Sequence, residues 1–238
     1  MEKKDGRQRM NIQGLQKLTL LDFPGRVACT VFLGGCDFRC PFCHNGELLD
    51  GTAETLMTDG ELLAFLETRK GLLDGVAITG GEPTLRPELP ALMEKIRALG
   101  FAVKLDTNGN HPDALRRILG EGLVDYVAMD VKNSPQRYGE TIGIAGFDVS
   151  NIEKSLALLK MSGVDYELRT TVVREFHDEA SFRAIGPWIA GAKRYFLQCF
   201  TDRDTVPQQG LHAPKKEELE RFAEIVRPYV QEVALRGV

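Results

Sequence analysis

Short apolar runs rich in β-branched residues recur along the chain, separated by longer stretches with helical spacing. The runs are VACTVFL at 27–33, GVAITG at 75–80, FAVKLD at 101–106, VDYVAMDV at 124–131, DYELRTTVV at 165–173 and KRYFLQCF at 193–200. Each has the length and composition of a strand. Thr58 and Glu61 form a T-x-x-E capping box ahead of LLAFLETRK, which predicts a helix start. Pro87 opens ELPALMEKIRAL, and Gly100 closes it in the usual C-terminal position. Further helices are predicted over about 112–120, 150–162, 179–190 and 215–228, from the same periodicity and start signals. The β-α alternation occurs six times. Successive parallel strands need a crossover and a helix is the usual one, so the pattern predicts an α/β fold with a parallel sheet flanked by helices. It leaves open whether six units make an open sheet or an incomplete (β/α)6 barrel.

The unusual residues fall at one kind of place. A cysteine-rich loop follows the first strand, GGEP the second, DTNG the third and DVK the fourth. Strand C-terminal ends share one rim in a parallel α/β fold, and ligands bind there. The longest irregular stretch, TDRDTVPQQGLHAP at 201–214, is a lid, a docking surface or a connector.

Composition narrows the class. With 238 residues, 43% hydrophobic and 27% charged, the chain suits one α/β domain over 11–238, with a polar extension at 1–10. The segment MEKKDGRQRM has no apolar stretch behind it of the kind a secretion signal carries, which predicts a cytoplasmic protein. No apolar run is long enough to span a bilayer, so no membrane association is expected. The net charge of -4, with both signs dispersed, gives no basic footprint for phosphate contacts, so nucleic acid is not an expected partner.

Three of the five cysteines crowd into GGCDFRCPFCHN, which in a reducing compartment suggests metal binding and not a disulfide framework. Cys36, Cys40 and Cys43, spaced C-x3-C-x2-C, allow one compact loop to aim three thiolates at a common centre. A four-iron cluster takes four cysteine ligands, so three leave one iron with an open coordination position. A structural zinc site of Cys3His type would need His44 as fourth ligand, but adjacent side chains rarely converge on one tetrahedral ion. Cys29 lies inside an apolar strand, where a buried thiol is core packing. Cys199 has the same reading, although its place near the rim makes it a candidate fourth ligand.

In TGGEP at 79–83, Gly80 and Gly81 make a turn whose backbone a ligand can approach because no Cβ stands in the way. Glu82 would then present a carboxylate at the rim, suited to an ammonium group. Asp106, Thr107, Asn108, Asp130 and Lys132 end the next two strands. Two carboxylates on one small rim repel, so a cation or Lys132 between them makes the arrangement less costly. Arg169 lies inside an apolar strand and either pairs with an acid or contacts a carboxylate or ribose of a ligand.

Together these motifs resemble the radical S-adenosylmethionine enzymes, whose cysteine loop matches Cys36, Cys40 and Cys43, with the aromatic Phe42 before the last cysteine. The resemblance implies an incomplete barrel of six β-α units, a [4Fe-4S] cluster and S-adenosylmethionine as cofactors. It also implies contact of Gly80, Gly81 and Glu82 with the cofactor's amino group, and of the loop around Phe42 with adenine. Asp106, Thr107 and Asp130 match positions near a monovalent-cation site beside the cofactor carboxylate, and Lys132 a residue near the reacting centre. The segment GLQKLTLLDFPGRVACTVFLGGCDFRCPFCHN, with TGGEP, LDTNG and VAMDVK, is more closely similar to glycyl-radical activating enzymes, above all those serving anaerobic ribonucleoside-triphosphate reductase. Formate-lyase activators usually carry D-G-P-G where this chain has DFPG at 22–25. The implied reaction is one-electron reduction of the cluster by a flavodoxin or ferredoxin, reductive cleavage of the cofactor, and hydrogen abstraction from a glycine of a partner protein. A radical enzyme acting on a small molecule, such as a deazapurine precursor, and a zinc-binding module without activity are the competing readings.

Overall fold

The computed structural model of the chain describes residues 10–238. The predicted 1–10 extension lies outside them except for Met10, which is buried in the core and accepts a hydrogen bond from the Asp59 amide at 3.0 Å. The strands are β1 (Asn11–Ile12), β2 (Gly14–Thr19), β3 (Ala28–Leu33), β4 (Met57–Thr58), β5 (Gly75–Gly80), β6 (Ala102–Thr107), β7 (Tyr126–Asp130), β8 (Asp165–Val172), β9 (Arg194–Cys199) and β10 (Glu232–Arg236). The helices are α1 (Asp59–Glu67), α2 (Leu89–Ala98), α3 (Pro112–Gly120), α4 (Tyr138–Thr141), α5 (Ser150–Met161), α6 (Glu179–Trp188) and α7 (Lys216–Val226). Thr58 and Glu61 exchange both bonds of the predicted capping box at the start of α1. Helix α2 begins two residues after Pro87, because Arg86 is still extended.

One sheet runs β10-β9-β8-β7-β6-β5-β3-β2. From β3 to β10 every neighbouring pair is parallel, while β2 lies antiparallel on β3 as an edge. All six predicted strands are present, and the sheet curls into an incomplete barrel whose end strands do not pair with each other. Sequence reading missed β10, a parallel seventh strand, and β2, whose GLQKLT faces are too polar to alternate clearly. It also missed the two-residue ribbon of β1 and β4. Among the described residues no helix is long and apolar enough to cross a membrane.

Helices pack the outer face of the sheet on Val, Ile and Leu, whereas the barrel interior is charged. Period-two alternation puts Lys104 and Asp106 of β6, Asp130 of β7, and Glu167 and Arg169 of β8 on the inner face. The far end of the barrel is plugged by Phe23, which packs beside Tyr126 at 6.2 Å between ring centroids and against Gly75, where a Cβ would meet its ring at 2.8 Å.

Candidate functional site

The loop that follows β3 is held from several sides. At its start the Gly35 and Cys36 amides donate to the Leu48 and Leu49 carbonyls at 2.7 and 3.0 Å. Asp37 accepts from Asn108 Nδ2 at 2.8 Å, Asn110 Nδ2 at 2.6 Å and His111 Nε2 at 3.0 Å. Burial opposes the charge on Asp37, but these three donors outweigh it and hold the carboxyl at about 2. Phe38 is buried against Phe147 at 5.4 Å and Tyr138 at 6.4 Å, both edge-on. Phe42 packs on Phe176 at 5.6 Å. The irregular segment 201–214 closes over the end of this loop: Thr205 Oγ1 donates to the His44 carbonyl at 2.7 Å and the Gln208 amide to Pro41 at 3.0 Å. It is thus a strap on the cysteine loop, anchored by its own buried Val206 and Leu211.

Cys36, Cys40 and Cys43 line one cavity of about 200 Å³, together with Phe42, Gly80, Gly81, Asp106, Thr107, Asn108, Asp130, Lys132 and Arg169. Residues predicted from four separate strand ends therefore meet, as the shared rim requires. All three thiols are free of disulfides. Burial pushes Cys36 up to about 11 and Cys40 to about 12, and raises Cys43; the Lys132 ammonium pulls all three back towards the thiolate. Among the described residues no three His, Cys, Asp or Glu side chains are placed to hold a single metal ion. Three soft thiols around one cavity are the kind of ligand set an iron-sulfur cluster uses. The Cys3His reading fails on His44, whose ring stacks on Phe200 at 5.5 Å with Nε2 bonded to the Thr201 carbonyl at 2.8 Å. Cys199 is outside the cavity too: its neighbour Gln198 faces in, and the Cys199 thiol points to the Pro214 carbonyl at 3.7 Å.

The GGE turn differs from expectation in what approaches it. A Cβ on Gly81 would lie 2.1 Å from the Gly35 oxygen, and one on Gly80 2.3 Å from the Leu33 oxygen. The cysteine loop itself occupies the space, tied by hydrogen bonds of 2.8 Å from the Gly81 amide to the Leu33 carbonyl and from the Glu82 amide to the Gly35 carbonyl. Glu82 does not present its carboxylate at the rim. It is 0% exposed and accepts from Asn108 N at 2.6 Å, Thr84 N at 3.0 Å, Thr107 Oγ1 at 2.9 Å and the Thr84 hydroxyl. Burial raises its pKa while these donors oppose the shift. A carboxylate that ends a strand can turn inward when the next strand end offers it donors, and LDTNG supplies the Asn108 amide and the Thr107 hydroxyl.

The two rim carboxylates are joined by Arg169, which donates from Nη1 to Asp106 at 3.2 Å and from Nε to Asp130 at 2.9 Å. Lys132 bonds the other Asp130 oxygen at 2.9 Å, and Lys104, from inside the barrel, bonds Asp106. Burial disfavours the charge on Asp130, yet Arg169 and Lys132 hold its carboxyl near 2; Arg169 and Lys104 likewise lower Asp106 against its burial. The Lys132 backbone is fixed by His177, whose Nδ1 accepts from the Val173 amide at 3.1 Å, leaving Nε2–H to donate to the Lys132 carbonyl at 2.8 Å. Sequence reasoning missed Asp37, Lys104, His111 and His177. Lys104 had a signal, since it sits two residues before Asp106 and so on the same strand face; His177 had none.

A sequence profile of the Radical SAM superfamily matches residues 30–181. The chain is 32% identical over 95% of its length to a Methanocaldococcus jannaschii protein, provisionally named a glycyl-radical enzyme activating enzyme, of which it covers 96%. It is 28% identical over 63% of its length to the 7-carboxy-7-deazaguanine synthase of Thermococcus kodakarensis, covering 66% of that protein. A third relative, the pyruvate formate-lyase-activating enzyme of Clostridium pasteurianum, is 32% identical over 51% of the chain and 52% of that enzyme. In fold, the chain is similar to Streptococcus suis SuiB bound to S-adenosylmethionine, with a TM-score of 0.66 at 15% identity, over 87% of this chain and 52% of SuiB. The profile match, the full-length relative and three cysteines gathered on one rim cavity agree, and the chain belongs to the radical SAM superfamily, enzymes that use a [4Fe-4S] cluster and S-adenosylmethionine.

Proposed function

We propose that the protein is an activase that generates a glycyl radical on a partner enzyme, and that this partner is an anaerobic ribonucleoside-triphosphate reductase. The observation that carries the activase reading is likeness along 95% of the chain to a relative named for that activity. A cavity lined by three free thiols, Arg169 and Lys132 gives that reading its chemistry. When bound, the cluster supplies one electron to the cofactor's sulfonium and so yields a carbon-centred radical able to take a hydrogen atom.

The chain's own residues bind and orient. Cys36, Cys40 and Cys43 would hold the cluster, a three-thiolate set that leaves a coordination position for the cofactor. Gly80 and Gly81 bring the second strand end against the cysteine loop, and Glu82 with Thr107 and Asn108 locks the second and third strand ends together. Arg169, paired with Asp106 and Asp130, faces the cofactor carboxylate or ribose, and Lys132 the reacting centre. Phe42 and the strap over 201–214 keep water from the cluster side.

The choice of reductase rests on the DFPG segment. Phe23 plugs the barrel at the end remote from the rim, so this segment marks kinship and makes no contact with a partner at the cavity. The test is to mix protein, a reduced flavodoxin or ferredoxin and S-adenosylmethionine with each candidate partner, then record electron paramagnetic resonance spectra. A glycyl-radical signal on the reductase is expected. A signal on formate lyase alone would reassign the partner, and cofactor cleavage with no protein radical on either would favour a small-molecule substrate.

A further inference from the structure

The cation site implied beside Asp106, Thr107 and Asp130 does not fit the residues found there. Asp106 gives one oxygen to Lys104 and the other to Arg169 at 3.2 Å, and Asp130 gives one to Arg169 and the other to Lys132, each at 2.9 Å. The Thr107 hydroxyl donates to Glu82 at 2.9 Å and accepts from the Gly109 amide at 3.1 Å. Each side-chain oxygen of Asp106, Thr107 and Asp130 thus already has a protein partner. Lys104, Arg169 and Lys132 already neutralise Asp106 and Asp130, so a further cation there would meet three positive charges held on the same two carboxylates.

Lys104 is the residue that makes this so. It is 2% exposed, in mid-strand β6 between Val103 and Leu105, and its ammonium reaches the inner oxygen of Asp106 from below the cavity. Arg169 and Lys132 face the cavity, whereas Lys104 is absent from its wall. An ammonium group is close to a potassium ion in size and charge, and a stem fixed in the barrel keeps it from exchanging with solvent. We infer that the Lys104 ammonium is a built-in substitute for a monovalent cation, holding Asp106 in place, so that the site needs no added alkali ion. Lys104 is then a positioning residue, acting through Asp106; the inference rests on the reading that the cavity binds S-adenosylmethionine.

The experiment compares wild type and Lys104→Met in potassium, sodium and choline chloride at constant ionic strength. Two quantities are read: equilibrium binding of S-adenosylmethionine to the reconstituted protein, and the melting temperature of the cluster-free protein. Wild type should bind equally well in all three salts and melt at one temperature. K104M should bind about tenfold more weakly in choline, the worth of one charge-assisted hydrogen bond, and recover in potassium; without cluster it should melt higher in potassium than in choline. Wild-type binding that falls about tenfold in choline would overturn the inference, as would a K104M defect identical in all three salts. Should K104M not fold in any salt, Lys104→Gln takes its place with the same criteria. The melting comparison involves no cofactor, so a wild type that fails to bind S-adenosylmethionine would refute the functional reading and leave the cation question to be answered separately.

Discussion

Replacing Gly81 by Ala adds one methyl group where the GGE turn meets the cysteine loop. Gly81 is outside the left-handed region, so its backbone accepts alanine and the effect is steric. The new Cβ would lie 2.1 Å from the Gly35 oxygen, 2.6 Å from the Gly35 carbon and 3.3 Å from Cys36 Cβ. A carbon and an oxygen need about 3.3 Å or more, so the two backbones must part by roughly 1 Å. Overpacking of this kind costs about 1–3 kcal/mol. Parting the backbones also weakens the 2.8 Å bonds from Gly81 to Leu33 and from Glu82 to Gly35, at about 1 kcal/mol each. The total, about 3–5 kcal/mol, lies within the stability of a typical domain, so Gly81→Ala should fold but melt about 6–20 °C lower.

The displacement falls on the residue before Cys36, and metal sites tolerate ligand shifts of only about 0.2 Å. Iron content after anaerobic reconstitution should therefore drop by more than half even where the variant is fully folded. Gly120→Ala is the control: Gly120 ends α3, a Cβ there meets nothing within 4 Å, and alanine should be neutral or stabilise by up to about 1 kcal/mol. A Gly81→Ala protein with full iron content and a melting temperature within about 2 °C of wild type would refute the packing argument.

Single alanine replacements of Cys36, Cys40 and Cys43 should abolish the cluster's visible absorbance, whereas Cys199→Ala, outside the cavity, should keep it; an intact chromophore in Cys40→Ala would disprove the ligand set. Glu82→Ala should unfold the protein more than it weakens any ligand, by about 3–5 kcal/mol, because buried donors lose their acceptor, and denaturant titration reads the difference. Burial drives the His177 pKa from 6.5 down to about 4, against its bonds to Lys132 and Val173. The unfolded chain therefore binds a proton that the folded one excludes, so this contribution is full above pH 6.5 and drains away as pH falls towards 4. It amounts to about 3 kcal/mol. His177→Gln should flatten the stability profile of the cluster-free protein between those limits, and an unchanged slope would show that another group titrates.

How much of this was legible in the sequence depended on the range of the interaction. Local signals survived well: the capping box of Thr58 and Glu61, the helix over about 112–120, and six strands marked by β-branched runs, because each is decided within a few residues. β10 was not legible, since EVALR has a charged residue at each end and is only half-buried, and what makes it a strand is the free edge of β9. The rim was legible as a place, because any parallel fold gathers its strand ends. Which groups meet across it was not: Asp37 with His111, and Asp106 with Arg169, join segments 74 and 63 residues apart in sequence.

That long-range pairing also altered what the motifs mean. Taken one at a time, GGEP, DTNG and DVK look like three contacts waiting for a ligand, with carboxylates held out to it. Folded together, they first satisfy one another: Glu82 binds the third strand end, Asp37 ties the cysteine loop to the same turn, and Arg169 spans the carboxylates of the third and fourth. A side chain whose hydrogen bonds are already met inside the protein moves little when a ligand arrives, and that rigidity is what a site must supply when the reactive species itself is not of protein origin. On the proposed reading, cofactor contacts would fall to backbone atoms and to the cations facing the cavity, Lys132 and Arg169, while the acids behind them set where those cations stand. On this view, mutating an acid should misplace the site and mutating a cation should empty it. Asp130→Asn and Arg169→Met separate the two: the first should alter the cluster's resonance with cofactor bound, and the second should weaken cofactor binding with the free cluster's spectrum unchanged.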